Sequence, residues 1–238
     1  MLSESELRRI AQKNQATELN TAREYAQHLF LNYLGQTEES KKMLFKGGTA
    51  LRIVYGSPRF SEDLDYTLLD NNIGVKKTIE EALTGMRSEG FDISSEFHTT
   101  SGGWLILAAT QVHSLPVRIE LNLSNRRKTT PHPQFHMIHS QYAPAYTLTA
   151  LSETQLVEEK IQALLSRKKP RDYYDLYFII RAGLDKKPAI ENRSRLLEAV
   201  DEIKEAKLKP ELKTFLPPTH WQTVTNLKNN LKKELTRL

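Results

Sequence analysis

Apolar residues recur at helical spacing from the start of the chain: Leu7, Ile10 and Ala11, then Leu19, Ala22, Ala26, Leu29, Phe30 and Tyr33. The spacing predicts helix over residues 3–34, broken near 14–17, with Gly35 ending the second piece. Residues 43–46 predict a short strand that runs into Gly47-Gly48-Thr49. Residues 50–55 then read as a short helix, stopped by Gly56, Ser57 and Pro58. Residues 63–69 alternate as a strand, 70–74 turn the chain, and 76–87 form a helix closed by Gly90. Residues 104–110 and 116–123 predict a hairpin, with His113-Ser114 in its turn. Residues 125–146, rich in Pro, His, Thr and basic side chains, read as a long connection. From Thr149 the pattern is helical, interrupted at Pro170, Pro188, Pro210 and Pro217-Pro218. No internal repeat is visible. The layout predicts an α/β domain over 1–148 and a helical domain over 149–238.

Composition narrows the chemistry. The chain has 238 residues, enough for one large domain or two small ones, and no cysteine. Disulfide scaffolds, thiolate zinc sites and cysteine catalysis are therefore excluded. The first fifteen residues lack the apolar stretch of a secretory signal. The longest apolar run, 104–109, is too short to span a bilayer. A cytoplasmic location with no membrane partner is expected. Lys and Arg number 34 against 29 Asp and Glu, a formal charge of +5. That excess favours an anionic partner: a nucleotide, a nucleic acid or an acidic protein.

Three carboxylates stand out on strands. Residues two apart on a strand share a face, so Asp63 and Asp65 lie together while Leu64 and Tyr66 take the other side. Two neighbouring carboxylates repel each other unless a cation sits between them. Mg²⁺ suits such a site, taking one or two carboxylates plus substrate phosphates. A solvated strand face explains the same pair without chemistry. In Val117-Arg118-Ile119-Glu120-Leu121-Asn122-Leu123 the polar residues are even-numbered, so Glu120 shares a face with Arg118 and Asn122. If both strands belong to one sheet, Glu120 joins the two aspartates as a third metal ligand for phosphoryl transfer.

Gly47-Gly48-Thr49 lies between a strand and a helix, where backbone N–H groups can cradle a triphosphate. A tight turn with Thr49 as N-cap is the bland alternative. The P-loop spacing is missing. In the helical half, Lys160 falls inside the stripe of Leu156, Val157, Ile161 and Leu164, so it either snorkels outward or reaches a buried anion. Asp172 and Asp175 stand one turn apart on an apolar face and want partners, although Asp172 also suits a helix N-terminus. His132, His136 and His139 would align on a helix, but Pro131 and Pro133 spoil it, which leaves zinc weakly supported.

The order and phrasing of these signals carry more than any one of them. Phe45-Lys46-Gly47-Gly48-Thr49-Ala50-Leu51-Arg52, followed by Tyr55-Gly56-Ser57-Pro58-Arg59-Phe60-Ser61-Glu62-Asp63-Leu64-Asp65, closely resembles the AbiEii/MenT nucleotidyltransferase toxins of AbiE-type toxin–antitoxin systems. Glu159-Lys160 and Arg171-Asp172-Tyr173-Tyr174-Asp175-Leu176 resemble that family's C-terminal motif. The likeness covers residues 40–180; the outer termini match in helical character only.

The resemblance implies an α+β fold: a DNA polymerase β-like nucleotidyltransferase core, its small mixed sheet flanked by helices, and a C-terminal helical domain that completes the active-site cleft. It implies that Gly47, Gly48 and Thr49 bind the nucleotide phosphates, with Ser61 beside them. Asp63 and Asp65 would hold catalytic Mg²⁺, with Mn²⁺ as a substitute. Lys160 would contact the triphosphate, and Asp172 would complete the site. Ser61 matches a serine that a kinase-type antitoxin phosphorylates in related systems. The implied reaction moves nucleotides from an NTP to RNA, at the tRNA 3′ acceptor end, and blocks translation as an abortive-infection, phage-defence toxin with a cognate antitoxin. Arg126-Arg127-Lys128, the basic run 167–171 and Lys228, Lys232 and Lys233 are candidate phosphate contacts. Two rivals remain open: modification of a protein hydroxyl, and a nucleotide-binding module that acts through its antitoxin complex.

Overall fold

A computed structural model describes residues 1–70, 74–126 and 129–238. Part of the expected 70–74 turn (Asn71, Asn72, Ile73) and Arg127 and Lys128 of the basic run lie outside the described residues. The chain divides into two compact units. Met1–Gly56 with Phe60–Leu151 form one; Ser57–Arg59 with Ser152–Leu238 form the other.

The first unit is a seven-stranded mixed sheet with helices, the α+β architecture that the sequence led us to expect. Its helices are α1 (Glu4–Lys13), α2 (Glu18–Gly35), α3 (Gly47–Ile53) and α4 (Val75–Ser88). Its strands are β1 (Met43–Lys46), β2 (Asp63–Leu68), β3 (Ser94–Thr100), β4 (Gly103–Val112), β5 (Leu115–Ser124), β6 (Pro133–Ile138) and β7 (Tyr146–Leu151). They lie in the order β3-β4-β5-β2-β1-β7-β6. The β2–β5 and β1–β7 pairs are parallel and the others antiparallel.

Strand alternation fixes which face is core. Leu64, Tyr66, Ile106, Ala108, Ile119 and Leu121 are buried, while their polar neighbours Asp63, Asp65 and Glu120 are half-buried. Helix α2 packs on β5 and β7, and α4 packs on α2. At the α2–α4 crossing Gly85 takes the Tyr33 ring directly against its Cα, a place where a Cβ would collide. Starts and stops are local. Ser3 and Glu6 form a capping box on α1, and Thr17 caps α2.

Three elements depart from the sequence reading. Residues 125–146 are not all connection, because β6 runs through them and β7 begins at Tyr146; β7 continues to Leu151, so the helical stretch expected from Thr149 starts only at Glu153. β6 is an edge strand whose Phe135 and Met137 stay exposed, so it shows no clean apolar face. β3, the opposite edge, is mostly exposed and polar, which hides its period of two. Helix α3 begins at Gly47 with Lys46 as its N-cap, so Thr49 lies inside the first turn.

The second unit is helical: α5 (Glu153–Arg167), α6 (Pro170–Ala182), α7 (Lys187–Glu191), α8 (Arg193–Asp201), α9 (Glu205–Phe215), α10 (Trp221–Thr225) and α11 (Leu227–Arg237). Pro170, Pro188 and Pro218 open helical segments, where the missing N–H costs nothing. Pro210 does not end a helix as expected. It lies within α9, which gives up one backbone bond there and continues. Among the described residues no helix is long and apolar enough to cross a membrane.

Helix α2 is buried on nearly every side, so its polar side chains need partners. Glu24 receives Arg52 Nε at 2.6 Å and the Tyr142 hydroxyl at 2.9 Å. His28 Nδ1 lies 2.7 Å from the Tyr146 hydroxyl. Burial pushes the His28 pKa down to about 4, against the opposing pull of Glu24. The folded protein therefore keeps His28 neutral, while the unfolded chain takes up its proton near pH 6.5. Stability contributed by the neutral ring is present in full above pH 6.5 and is lost as pH falls toward 4. Urea unfolding at pH 7 and pH 4 should differ by about 3 kcal/mol from this residue, and His28→Gln should remove that part of the slope.

Candidate active site

The strand register builds the carboxylate face. In the parallel β2–β5 pair, Asp63 lies opposite Glu120 and Asp65 opposite Asn122. Partners in a ladder share a face, so Asp63, Asp65 and Glu120 point to the same side of the sheet. Glu120 is already engaged: Arg118 Nη2 lies 3.3 Å from its carboxylate. Leu107 and Leu105 of β4 continue the same face beside Glu120 and Asn122.

The glycine loop closes on this face from β1. Lys46 pairs with Asp65 across the antiparallel β1–β2 ladder. The next residue, Gly47, has φ +82°. The Asp65 carboxylate occupies the space where a Cβ at position 47 would stand. Glycine is therefore required twice here, for its left-handed backbone and for this close approach. Thr49 is buried, and its hydroxyl donates to the Asp63 carbonyl at 2.5 Å. That bond ties the first turn of α3 to the first residue of β2.

Among the described residues no three His, Asp or Glu side chains gather as a ready-made metal cluster. The donor set still fits a hard divalent ion. Asp63 and Asp65 supply two half-buried oxygen donors on one face, and Mg²⁺ typically draws its remaining ligands from water and substrate phosphates. His136 lies on β6, edge-on to the Tyr55 ring.

The helical unit assembles a second charged group. Asp175 of α6 is 1% exposed and receives Arg59 through two parallel bonds, Nε to Oδ1 at 2.8 Å and Nη2 to Oδ2 at 3.0 Å. Lys160 of α5 reaches the same carboxylate at 2.7 Å. Of the two alternatives open for Lys160, it takes the buried anion. Burial pulls the Asp175 carboxyl up, but Arg59 and Lys160 outweigh it and hold it below the usual carboxylate range. Asp172 goes elsewhere. Its carboxylate takes Arg167 Nη2 at 2.6 Å and Nε at 2.9 Å, and accepts the Lys169 N–H at 3.1 Å. Asp172 thus closes the first turn of α6, and it shares no partner with Lys160.

Arg59, Glu24 and Gln27 were not singled out by sequence reasoning. Arg59 stands inside the quoted motif but lacks a periodic neighbour to mark it. Glu24 and Gln27 are polar residues within a helical repeat, and only tertiary packing reveals that they are buried.

A family model described as Nucleotidyl transferase AbiEii toxin, Type IV TA system, matches residues 29–235. No curated protein matches. Among solved structures the chain is similar to MenT4, a nucleotidyltransferase toxin from Mycobacterium tuberculosis. The TM-score is 0.67 at 19% identity, covering 100% of this chain and 91% of the other. It is also similar to JHP933 from Helicobacter pylori, with TM-score 0.61 at 18% identity, covering 93% and 92%. At these identities the structural likeness carries the fold.

Breaking the Arg59–Asp175–Lys160 group should be costly, since Asp175→Ala leaves two cations without their buried counter-charge. Denaturant unfolding of Asp175→Ala should show a loss of about 3–5 kcal/mol.

Proposed function

The chain belongs to the AbiEii nucleotidyl transferase toxin family of type IV toxin–antitoxin systems, and from that premise we propose that it transfers nucleotides from an NTP to the tRNA 3′ acceptor end and so blocks translation. The observation that carries the reading is the shared face of Asp63 and Asp65, with Glu120 in register beside Asp63. Two adjacent carboxylates on one sheet face make physical sense when a divalent cation bridges them to a triphosphate.

In this reading Asp63 and Asp65 hold Mg²⁺ or Mn²⁺, and Glu120 joins them by exchanging Arg118 for the ion. The bound ion supplies charge neutralisation at the triphosphate and a lowered pKa for the acceptor hydroxyl. The bare backbone of Gly47, which lies beside Asp65, and that of Gly48 take phosphate oxygens, with Thr49 fixing the turn and Ser61 at the approach to Asp63. Lys160 is the triphosphate contact in this reading, its ammonium held 2.7 Å from the Asp175 carboxylate. Asp172 serves the site by holding Arg167 and the start of α6. The RNA 3′ oxygen bonds to the α-phosphorus, the bond from that phosphorus to the bridging oxygen breaks, pyrophosphate departs, and the hydroxyl proton passes to solvent water.

Charge distribution supports an RNA acceptor. Residues 152–238 carry 18 Lys and Arg against 13 Asp and Glu, while residues 1–151 are balanced at 16 of each. The whole positive excess therefore lies in the helical segment, where phosphate contacts would add salt-dependent affinity. A tRNA substrate places the protein in the cytoplasm, and the family implies a cognate antitoxin. A phosphate on Ser61 would add roughly −2 charge two residues from Asp63 and oppose triphosphate binding.

Purified protein incubated with total tRNA, Mg²⁺ and each α-labelled NTP should place label in tRNA. Asp63→Ala should reduce transfer at least about a hundredfold, as should EDTA. Label that enters protein instead of RNA, or transfer that survives Asp63→Ala, would overturn the proposal.

A further inference from the structure

Helix α2 reaches the entry to β2 through one side chain. Gln27 is 2% exposed, and its amide nitrogen donates to two successive carbonyls, Ser61 at 3.1 Å and Glu62 at 2.8 Å. A primary amide has two hydrogens, one for each acceptor. One turn earlier on α2, Arg23 meets the Glu62 carboxylate at 3.0 Å. The following carbonyl, that of Asp63, takes the Thr49 hydroxyl. Three consecutive carbonyls, 61 to 63, are thus held by side chains from α2 and α3.

This matters because the β2 ladder begins only at Asp63. Ser61 and Glu62 precede it, and Gln27 supplies there what a neighbouring strand supplies further on. The direction in which Asp63 leaves the backbone depends on the dihedrals of these two residues. A ligand displaced by about 1 Å no longer serves a metal and a phosphate together.

We propose that Gln27 is a positioning residue for the β2 carboxylates: it fixes the Ser61–Glu62 backbone so that Asp63 and Asp65 face the same divalent ion. The proposal rests on the reading of those aspartates as metal ligands. Gln27 touches neither ion nor substrate in this account and acts through the chain it holds.

Direct Mn²⁺ titration followed by electron paramagnetic resonance, on the full chain without RNA, tests it. Four variants are needed: Gln27→Met, which keeps the size and removes the donors; Gln27→Asn, which keeps the amide but shortens its reach; Tyr146→Phe; and Asp63→Ala. Tyr146→Phe removes the hydrogen bond of His28 on the same helix and reports generic loosening of α2. Both Gln27 variants should weaken Mn²⁺ binding about tenfold, while Tyr146→Phe binds as wild type at a comparable loss of thermal stability. Turnover of Gln27→Met should recover at high metal, a shift in metal requirement that mere destabilisation does not produce. Folded Gln27 variants that bind Mn²⁺ like wild type, or a Tyr146→Phe protein equally weakened, would overturn the proposal. So would a Gln27→Asn protein that fails to fold, since the amide would then be a folding determinant. Absence in wild type of any Mn²⁺ binding that Asp63→Ala removes would instead overturn the underlying reading of the aspartates, and this inference with it.

Discussion

A helix that buries polar side chains must satisfy each of them, and α2 buries Glu24, Gln27 and His28 within two turns. The partners that they take define the sheet unit. Glu24 holds Arg52 at the far end of α3, and Arg52 in turn lies 3.9 Å over the Phe60 ring. Gln27 holds the chain entering β2. His28 holds Tyr146 at the start of β7. One central helix therefore grips the glycine-led helix, the carboxylate strand and the strand that ends the sheet unit. Thr49 closes the arrangement by joining α3 to β2 directly.

The same frame sets the geometry of the β2 carboxylates. Asp63 and Asp65 share a face by strand parity, and the parallel neighbour places Glu120 next to Asp63. Gly47 permits the Asp65 carboxylate to press against the backbone. Glu120 meets Arg118 at 3.3 Å. In the helical unit Asp175 collects two cations, Arg59 and Lys160, on an otherwise apolar helix face.

Much of this was legible in the residues. Alternation around Asp63 and Glu120 gave the correct faces, and the hairpin over β4 and β5 followed from its turn residues. The motif order pointed to the family. Other features were not legible, for identifiable reasons. Edge strands β3 and β6 lack a buried face on one side, so their periodicity is blurred. Pro210 sits in α9 because tertiary contacts through Leu208 and Leu212 outweigh one lost hydrogen bond. The pairings of Gln27, Glu24 and Arg59 span 28 to 116 residues of sequence, and a local pattern cannot supply such partners. Asp172 and Asp175 stand one turn apart on one apolar face in the sequence, where only Asp172 also suits the helix N-terminus; Asp172 does close that turn, and the partners of Asp175, the cations Arg59 and Lys160, emerge only from the fold.

The claim on which this account stands is that the β2 carboxylates form the metal site. Anomalous diffraction from crystals grown with Mn²⁺ and a non-hydrolysable NTP tests it most directly. The account predicts an anomalous peak within coordination distance of both Asp63 and Asp65, with the triphosphate beside Gly47. A peak coordinated away from both aspartates would contradict it.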